Sequence, residues 1–587
     1  MSPLLFILLT ACIIDVIVTD PAITKAAKGK QEVAAYMDDY KTHAPTKKSA
    51  DLITNTLSGA AGELGLSLNI RKCGIYNTQL NQNHDEQEEN ENEEIDLPFL
   101  PIVREGYKYL GLEQLERDTN LNASKVEEMV LERSGEIFNS KLAPAQKVLL
   151  FNSTVIPAAV YITGNLYPKE KRASTLKRCS DMDKMVRKIL VQKNLLGKTS
   201  SRNIVYIPTY LGGLGIKSIL RETEIQYARR GVYLKYHQHM SDTNSRYERL
   251  QRAGWRNPLT DADFVFQKYN VDLPQKTTDE SVTDYCRKVT KIISGKQLQI
   301  LTADWSSSMH YGRLVMGERE NIKFPALQDL RIDDWMATTI RSAAEEQIWG
   351  LGANPSRRRK CRLHCNVDET AYHVISSCIT PAYTTRHDGI VHQILKSILY
   401  STAAPQDIQS QLKYGQSSLV VEYMWGDRQV KIRAGIKIPT DPVLYHNRPD
   451  IIVYLTKPDN VYVLEIAVAH LQNIHLQEDI KKVRYSKNST IHVNHSNYNT
   501  IPRNYNLIGA LERMYRCPTK LGVLVFGALG EIVEGPVFKD ALKMLNKLGI
   551  KEKRLQGLLN QCSLTAANSS AKIIMRRLGM PTNPNCE

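Results

Sequence analysis

The chain opens on an apolar run, MSPLLFILLTACIIDVIV, interrupted only by Asp15. A second, shorter run, VAAYMDDYKTH, ends in two adjacent acids, Asp38 and Asp39. The pattern predicts a helix, a hairpin around Tyr36–Tyr40 and a further helix to about Leu66. Asn81 to Asp96 is polar and acidic; such a stretch cannot bury a core and is expected to be a disordered insertion. FLPIVREGYKYLGL then reads as strand. Residues 121–240 carry helical periodicity, with Leu176, Met185, Ile189 and Leu190 spaced among many lysines and arginines. YIPTYLGGLGI is a glycine-rich turn, and residues 241–350 are mixed but mostly helical. From about residue 383 a helix, DGIVHQILKSIL, leads into strand-like runs VVEYMW, RPDIIVYL, VYVLEIAVA and LGVLVFGAL. Helices are expected over 475–487, 538–548 and 570–578, so the last third reads as α/β.

Length and charge enlarge this picture. A chain of 587 residues is too long for one core. Its formal net charge of +15 and pI of about 9.1 point to a polyanionic partner, usually nucleic acid. The N-terminal run lacks a basic flank, and Asp15 breaks it, so a buried helix that mimics a signal sequence is expected there. No other segment reads as membrane-spanning. The ten cysteines are scattered apart from one cluster, which fits a reducing compartment and one metal site rather than a disulfide framework.

Two adjacent carboxylates repel unless they are solvated or bridged by a cation. Asp38 and Asp39 are therefore either a solvated turn or a site for divalent ions, and a hairpin turn would push both toward such ions. Nucleotidyl transfer needs two ions about 4 Å apart, and magnesium prefers carboxylate and phosphate oxygens. The neighbouring segments are SPLLF before the acids, then GLSLNIRKC (Gly65 to Cys73) and YKYLGL (Tyr107 to Leu112) after them. In that order they resemble the palm of reverse transcriptases. LAPAQKVLLFNSTVIPAAVY and IPTYLGGLGIKS resemble the thumb of non-LTR retrotransposon enzymes, so the resemblance runs over nearly the whole chain. It implies magnesium at Asp38 and Asp39, Tyr36 and Lys72 near the incoming nucleotide, and Tyr107 and Gly111 in the primer grip. The family's first catalytic aspartate lies upstream of SPLLF, and Asp15 and Asp20 are in the wrong place to replace it. Polymerase activity of this chain is therefore expected to be little or none.

The cysteine cluster is CRLHCNVDETAYHVISSC, with spacing Cys361-x3-Cys365-x7-His373-x4-Cys378. Three thiolates and an imidazole suit tetrahedral zinc and leave no open position, so the role is structural. His364 competes for a ligand place but lies inside the first Cys pair. The preceding RRRK, Arg357 to Lys360, suggests a nucleic-acid contact. The spacing resembles the Cys-Cys-His-Cys finger of site-specific non-LTR elements, which stands upstream of their endonuclease.

In RPDIIVYLTKPDNVYVLEIAVAH, fourteen residues separate Asp450 from Glu465, with a strand at each. Alternation places Val461, Val463, Glu465 and Ala467 on one face. A carboxylate buried on such a strand costs free energy unless a metal or partner compensates, and pairing it with Asp450 makes a magnesium site for phosphodiester hydrolysis. The pattern looks like the PD-(D/E)xK nuclease fold. Ala467 stands where that family usually has lysine; in the retrotransposon branch a lysine arrives from the following helix. EDIKKVRYS supplies it, with Lys481 first and Lys482 close behind, followed by Arg484 and Tyr485. Lys457–Asp459 is a decoy in the turn between the strands.

The expected architecture is multidomain α+β, identified by resemblance as a site-specific non-LTR retrotransposon polyprotein. It comprises a partial right-hand polymerase palm at 1–118 (insertion 81–97), a helical thumb at 119–240 and a helical connection at 241–350. A zinc finger at 351–382, a C-terminal α/β restriction-like nuclease at 383–550 and a helical tail at 551–587 complete it. The implied partners are target DNA and element RNA, with no membrane, and the implied location is the nucleus. Loss of the chemistry would leave a decayed, non-enzymatic nucleic-acid-binding protein.

Overall fold

The computed structural model describes residues 3–36, 39–76, 107–110, 112–114, 120–165, 171–348, 350–351, 359–413, 415–440, 444, 446–485 and 506–580. Asp38, Gly111 and the acidic run lie outside these residues, as do Arg357 and Arg358. The chain divides into two compact units, Met1–Glu128 with Asn165–Lys171, and Met129–Gly164 with Arg172–Glu587.

In the first unit the apolar N-terminus is a helix, Pro3–Thr19, whose Ile13 and Ile17 pack with Ile23, Ile53 and Ala61. Asp20 caps the next helix, Pro21–Ala26, accepting from the Ala22 N–H at 2.7 Å, with Pro21 in the first turn, where no N–H is needed. Strands β1 (Glu32–Tyr36) and β2 (Asp39–His43) form an antiparallel hairpin in which Tyr36 pairs with Asp39. A helix, Lys47–Glu63, follows, closed by a capping box between Thr46 and Ser49. β3 (Tyr107–Tyr109) and β4 (Leu112–Gln114) make a second small ribbon.

The second unit begins helical. Helix Arg172–Gln192 buries Thr175, Cys179, Met182, Val186 and Leu190 at three- and four-residue spacing, leaving Lys177, Lys184 and Lys188 exposed. Buried Asp183 accepts from the Ile219 N–H at 2.8 Å and from Ser218 Oγ at 2.6 Å, fixing the start of helix Ile219–Tyr236. In the glycine-rich turn, Gly212 adopts φ +83, and a Cβ on Gly213 would lie 2.0 Å from the Ile207 carbonyl oxygen, so neither position accepts a side chain freely. Contrary to the sequence expectation, the helical run Pro144–Thr163 is long and apolar enough to cross a membrane by length and composition. On it Phe151, Val155 and Ala159 are buried, and Leu149, Leu150 and Tyr161 are exposed.

The remainder is built on one seven-stranded mixed sheet of order β5-β11-β10-β9-β8-β7-β6. These are β5 (Ile322–Lys323), β6 (Leu419–Trp425), β7 (Arg428–Ala434), β8 (Ile451–Leu455), β9 (Asn460–Ala469), β10 (Thr519–Gly527) and β11 (Ile532–Val533). Only β9 and β10 run parallel; the other neighbours are antiparallel. Helices cover both faces. Ala382–Ser401, Pro536–Lys547 and Glu552–Leu578 pack with Leu464, Ile466, Leu524 and Phe526 on one side. On the other, Leu507–Tyr515 and Tyr485 pack with Ile452, Val461 and Val463. Each fully buried aliphatic or aromatic side chain here contributes about 1.5–3 kcal/mol of transfer free energy. On helix Glu552–Leu578, Leu558, Leu559, Cys562 and Ala566 belong to the first of these cores. The mostly helical residues 241–350 also supply edge strand β5.

Candidate metal centre and carboxylate site

The finger residues converge. One ligand atom from each of Cys361, Cys365, His373 and Cys378 lies within 4.8 Å of every other. Cys361 Sγ is 3.6 Å and Cys365 Sγ 3.8 Å from Cys378 Sγ. Two sulfurs bound about 2.3 Å from a tetrahedral zinc stand about 3.8 Å apart. His373 sits on helix Ala371–Ser376, capped by Thr370; its Nδ1 is 3.2 Å from Ser377 Oγ. Its Nε2 is buried with no hydrogen-bond partner among the described residues. The cluster could therefore hold a metal ion such as zinc. His364 is exposed, in the left-handed region, and stands outside the cluster.

Electrostatics at the cluster are in conflict without a cation. Burial opposes ionisation of Cys361, but the Leu363 N–H at 3.4 Å and the neighbouring His373 imidazole draw its thiol down to about 6. Burial and the two neighbouring thiols push Cys378 up to about 11. A divalent ion removes that conflict, because a coordinating thiol is deprotonated outright. Sequence reasoning missed Arg577, at the end of helix Glu552–Leu578. It donates to Cys378 Sγ at 3.1 Å and to Glu369 Oε1 at 2.9 Å. Fully buried Glu369 also receives Arg359 and Arg362, each at 3.0 Å. Of the basic run, Arg359 and Lys360 pair with Glu369 and Asp368 while their side chains stay half or more exposed.

The second constellation is set by strand register. Ile451 pairs with Leu464 and Ile452 with Val463, so the next position on each strand brings Asp450 beside Glu465. Alternation puts Glu465 on the face that carries Ile452, Val461 and Val463, and Asp450 stands beside it at the end of β8. The Asp450 N–H donates to Glu465 Oε1 at 3.1 Å, and the Ile466 N–H donates to Asp450 Oδ2 at 2.7 Å. Lys481, from helix Ile474–Tyr485, donates to Glu465 Oε2 at 2.6 Å and lies 3.6 Å from Asp450 Oδ2. Lys482, one residue on, is exposed.

Glu465 is 1% exposed. Burial, and next the Asp450 charge, push its carboxyl up to about 7. Burial would raise Asp450 too, but the His387 hydrogen bond and Lys481 hold it below the usual carboxylate value. His387 Nε2 is 3.2 Å from Asp450 Oδ1, and its Nδ1 is 3.1 Å from Asp388 Oδ1. Burial lowers the imidazole, and the two carboxylates outweigh it, lifting it to about 9. His446 is driven the other way, to about 4, by burial and by Arg484 and Lys481. Tyr485, buried beside Glu465, is raised by burial and by that charge. No signal in the sequence pointed to His387.

The residues assigned to a polymerase are brought together less. Asp39 is exposed at the start of β2, and the side chain of Tyr36 lies outside the described residues. Lys72 is exposed in a short turn, Ile70–Lys72, and Tyr107 is described only as backbone in β3. No hydrogen bond or ion pair joins Asp39 to Lys72 among the described residues. No protein-family model matches the sequence, and no curated protein matches it.

Proposed function

We propose that the chain is a retroelement reverse transcriptase–endonuclease polypeptide whose working chemistry is metal-dependent hydrolysis of a DNA phosphodiester. In this reading the sheet and its helices are a restriction-like nuclease fold. Residues 119–240 belong to a thumb that holds element RNA, residues 1–118 to a palm, and the site of action is the nucleus. The observation that carries the nuclease reading is the β8–β9 register, which brings Asp450 and Glu465 to one face with Lys481 reaching both.

Two carboxylates of opposite displacement, one held ionised and one buried, suit a magnesium ion, which takes oxygen ligands. Asp450 and Glu465 would hold it, and when bound it would polarise the phosphate and lower the pKa of an attacking water. Lys481 neutralises Glu465 and stands ready to meet a phosphate oxygen. On resemblance alone, Asp38 and Asp39 would hold magnesium in the palm, with Tyr36, Lys72, Tyr107 and Gly111 around nucleotide and primer.

Supercoiled-plasmid nicking tests the reading. Magnesium-dependent cleavage by the full chain, lost in Asp450→Ala and Glu465→Ala, is the expected result. Cleavage unchanged in both variants refutes the assignment. A second reading, a nucleic-acid-binding protein without catalysis, is favoured by one observation: His387 and Lys481 already balance both carboxylates. It predicts DNA binding with no nicking at any magnesium concentration.

A further inference from the structure

Asp450 stands just before the first ladder residue of β8, so strand pairing does not by itself fix its side chain. The Ile466 N–H holds Oδ2, and among the described residues the other oxygen, Oδ1, is met from a different element, helix Ala382–Ser401. That helix is itself anchored. Arg386, one residue before His387, is buried and donates at 2.8 Å both to the Ile375 carbonyl in the finger and to Ser570 Oγ on helix Glu552–Leu578. Two residues after His387, a Cβ on Gly389 would lie 3.0 Å from Thr565 Cγ2, which records how closely the two helices approach. Ile390, Val391 and Ile394 are buried behind it. The ring of His387 is fixed as well, because each nitrogen faces a carboxylate oxygen, Asp450 Oδ1 at 3.2 Å and Asp388 Oδ1 at 3.1 Å.

We propose that His387 is the positioning residue for Asp450: its Nε2–H holds Oδ1 so that the carboxylate keeps one orientation toward a divalent ion shared with Glu465. The proposal rests on the nuclease reading above. Residues that orient a ligating carboxylate or imidazole change metal affinity about 10- to 100-fold when removed. Removal of His387 frees the carboxylate, which weakens ion binding. Glutamine keeps the contact, because its Nε2–H can stand where the imidazole Nε2–H stood.

The test uses the full chain. Mn2+ binding is measured by titration calorimetry without DNA, and plasmid nicking is followed as a function of Mg2+. His387→Ala is expected to raise the Mn2+ dissociation constant and the Mg2+ midpoint about 10-fold or more, with His387→Gln within about 3-fold of the wild type. Asparagine, whose amide matches Nδ1 and falls short of Asp450, is expected to behave as alanine does and replaces it should His387→Ala fail to fold. The proposal is overturned if the alanine or asparagine variant matches the glutamine variant, whether both are unchanged or both bind the ion more tightly. A wild type that neither nicks DNA nor loses Mn2+ affinity on Asp450→Asn substitution overturns the nuclease reading, and this proposal with it. A wild type that nicks, alongside an alanine variant with an unshifted midpoint, overturns this proposal alone.

Discussion

Two pairs of acids in this protein look alike on paper and differ in the fold. Asp38 and Asp39 adjoin in sequence, and the described member, Asp39, is an exposed residue on a two-stranded ribbon. Asp450 and Glu465 are separated by a strand, a turn and half of another strand, yet the β8–β9 register brings them together in a seven-stranded sheet. There the backbone N–H groups of Asp450 and Ile466, Lys481 and His387 all contact a carboxylate. The contrast teaches that adjacency in sequence is a weaker sign of a cation site than adjacency across a buried ladder. Desolvation forces every buried charge to find a partner, whereas an exposed acid is satisfied by water.

The comparison can be broken or sharpened by substitution. The largest stability effect is expected at the finger, which closes the same unit as the buried pair. Cys378→Ser, or chelation of the wild type, should lower the thermal midpoint by about 10 °C, with one zinc per chain lost by elemental analysis. Asp450→Asn should cost about 3 kcal/mol in denaturant unfolding, because it leaves His387 and Lys481 with one fewer counter-charge.

Glu465→Gln gives a pH signature of comparable size. The folded carboxyl is raised from 4.5 to about 7, so the native state binds more protons than the unfolded chain across that window. Wild-type stability from this group therefore falls as pH rises from about 4.5 to about 7, by up to ~3 kcal/mol, while the glutamine variant has nothing to titrate. The variant's thermal midpoint should gain on the wild type between pH 5 and pH 8, and a constant difference would contradict the assignment. Arg577→Ala, which strips one of three arginines from buried Glu369, should cost about 2 kcal/mol in denaturant unfolding. At the small end, Asp39→Asn should move stability by less than about 0.5 kcal/mol in the same measurement.

Much of this was legible from residue pattern. RPDIIVYL, VYVLEIAVA and LGVLVFGAL are strands because continuous apolar runs suit a sheet covered on both faces, whereas VVEYMW is an edge strand whose Val420, Glu422 and Met424 are exposed. The helices expected at 475–487 and 538–548 are Ile474–Tyr485 and Pro536–Lys547. β7, RQVKIRA, was missed because its charged alternate positions disguise Val430, Ile432 and Ala434. β5 and β11 are two residues long and carry no periodic signal. The helix expected at 570–578 starts at Glu552, because its buried face is made largely of Cys562, Ser563, Ala566, Ala567 and Ser570, small residues that do not read as a hydrophobic stripe. Glu465 and Asp450 were read from strand parity, and Lys481 from the family resemblance. His387 and Arg577 were not, since each reaches its site from an element distant in sequence and only packing brings it there.

The central claim is that the buried pair, and not the exposed hairpin, carries the chemistry. Relaxation of a supercoiled plasmid by the full chain with and without magnesium, beside Glu465→Gln, tests it most directly. Magnesium-dependent nicking that falls at least about 100-fold in the variant, with DNA binding retained, is the predicted result. Equal nicking by the two proteins would contradict the account.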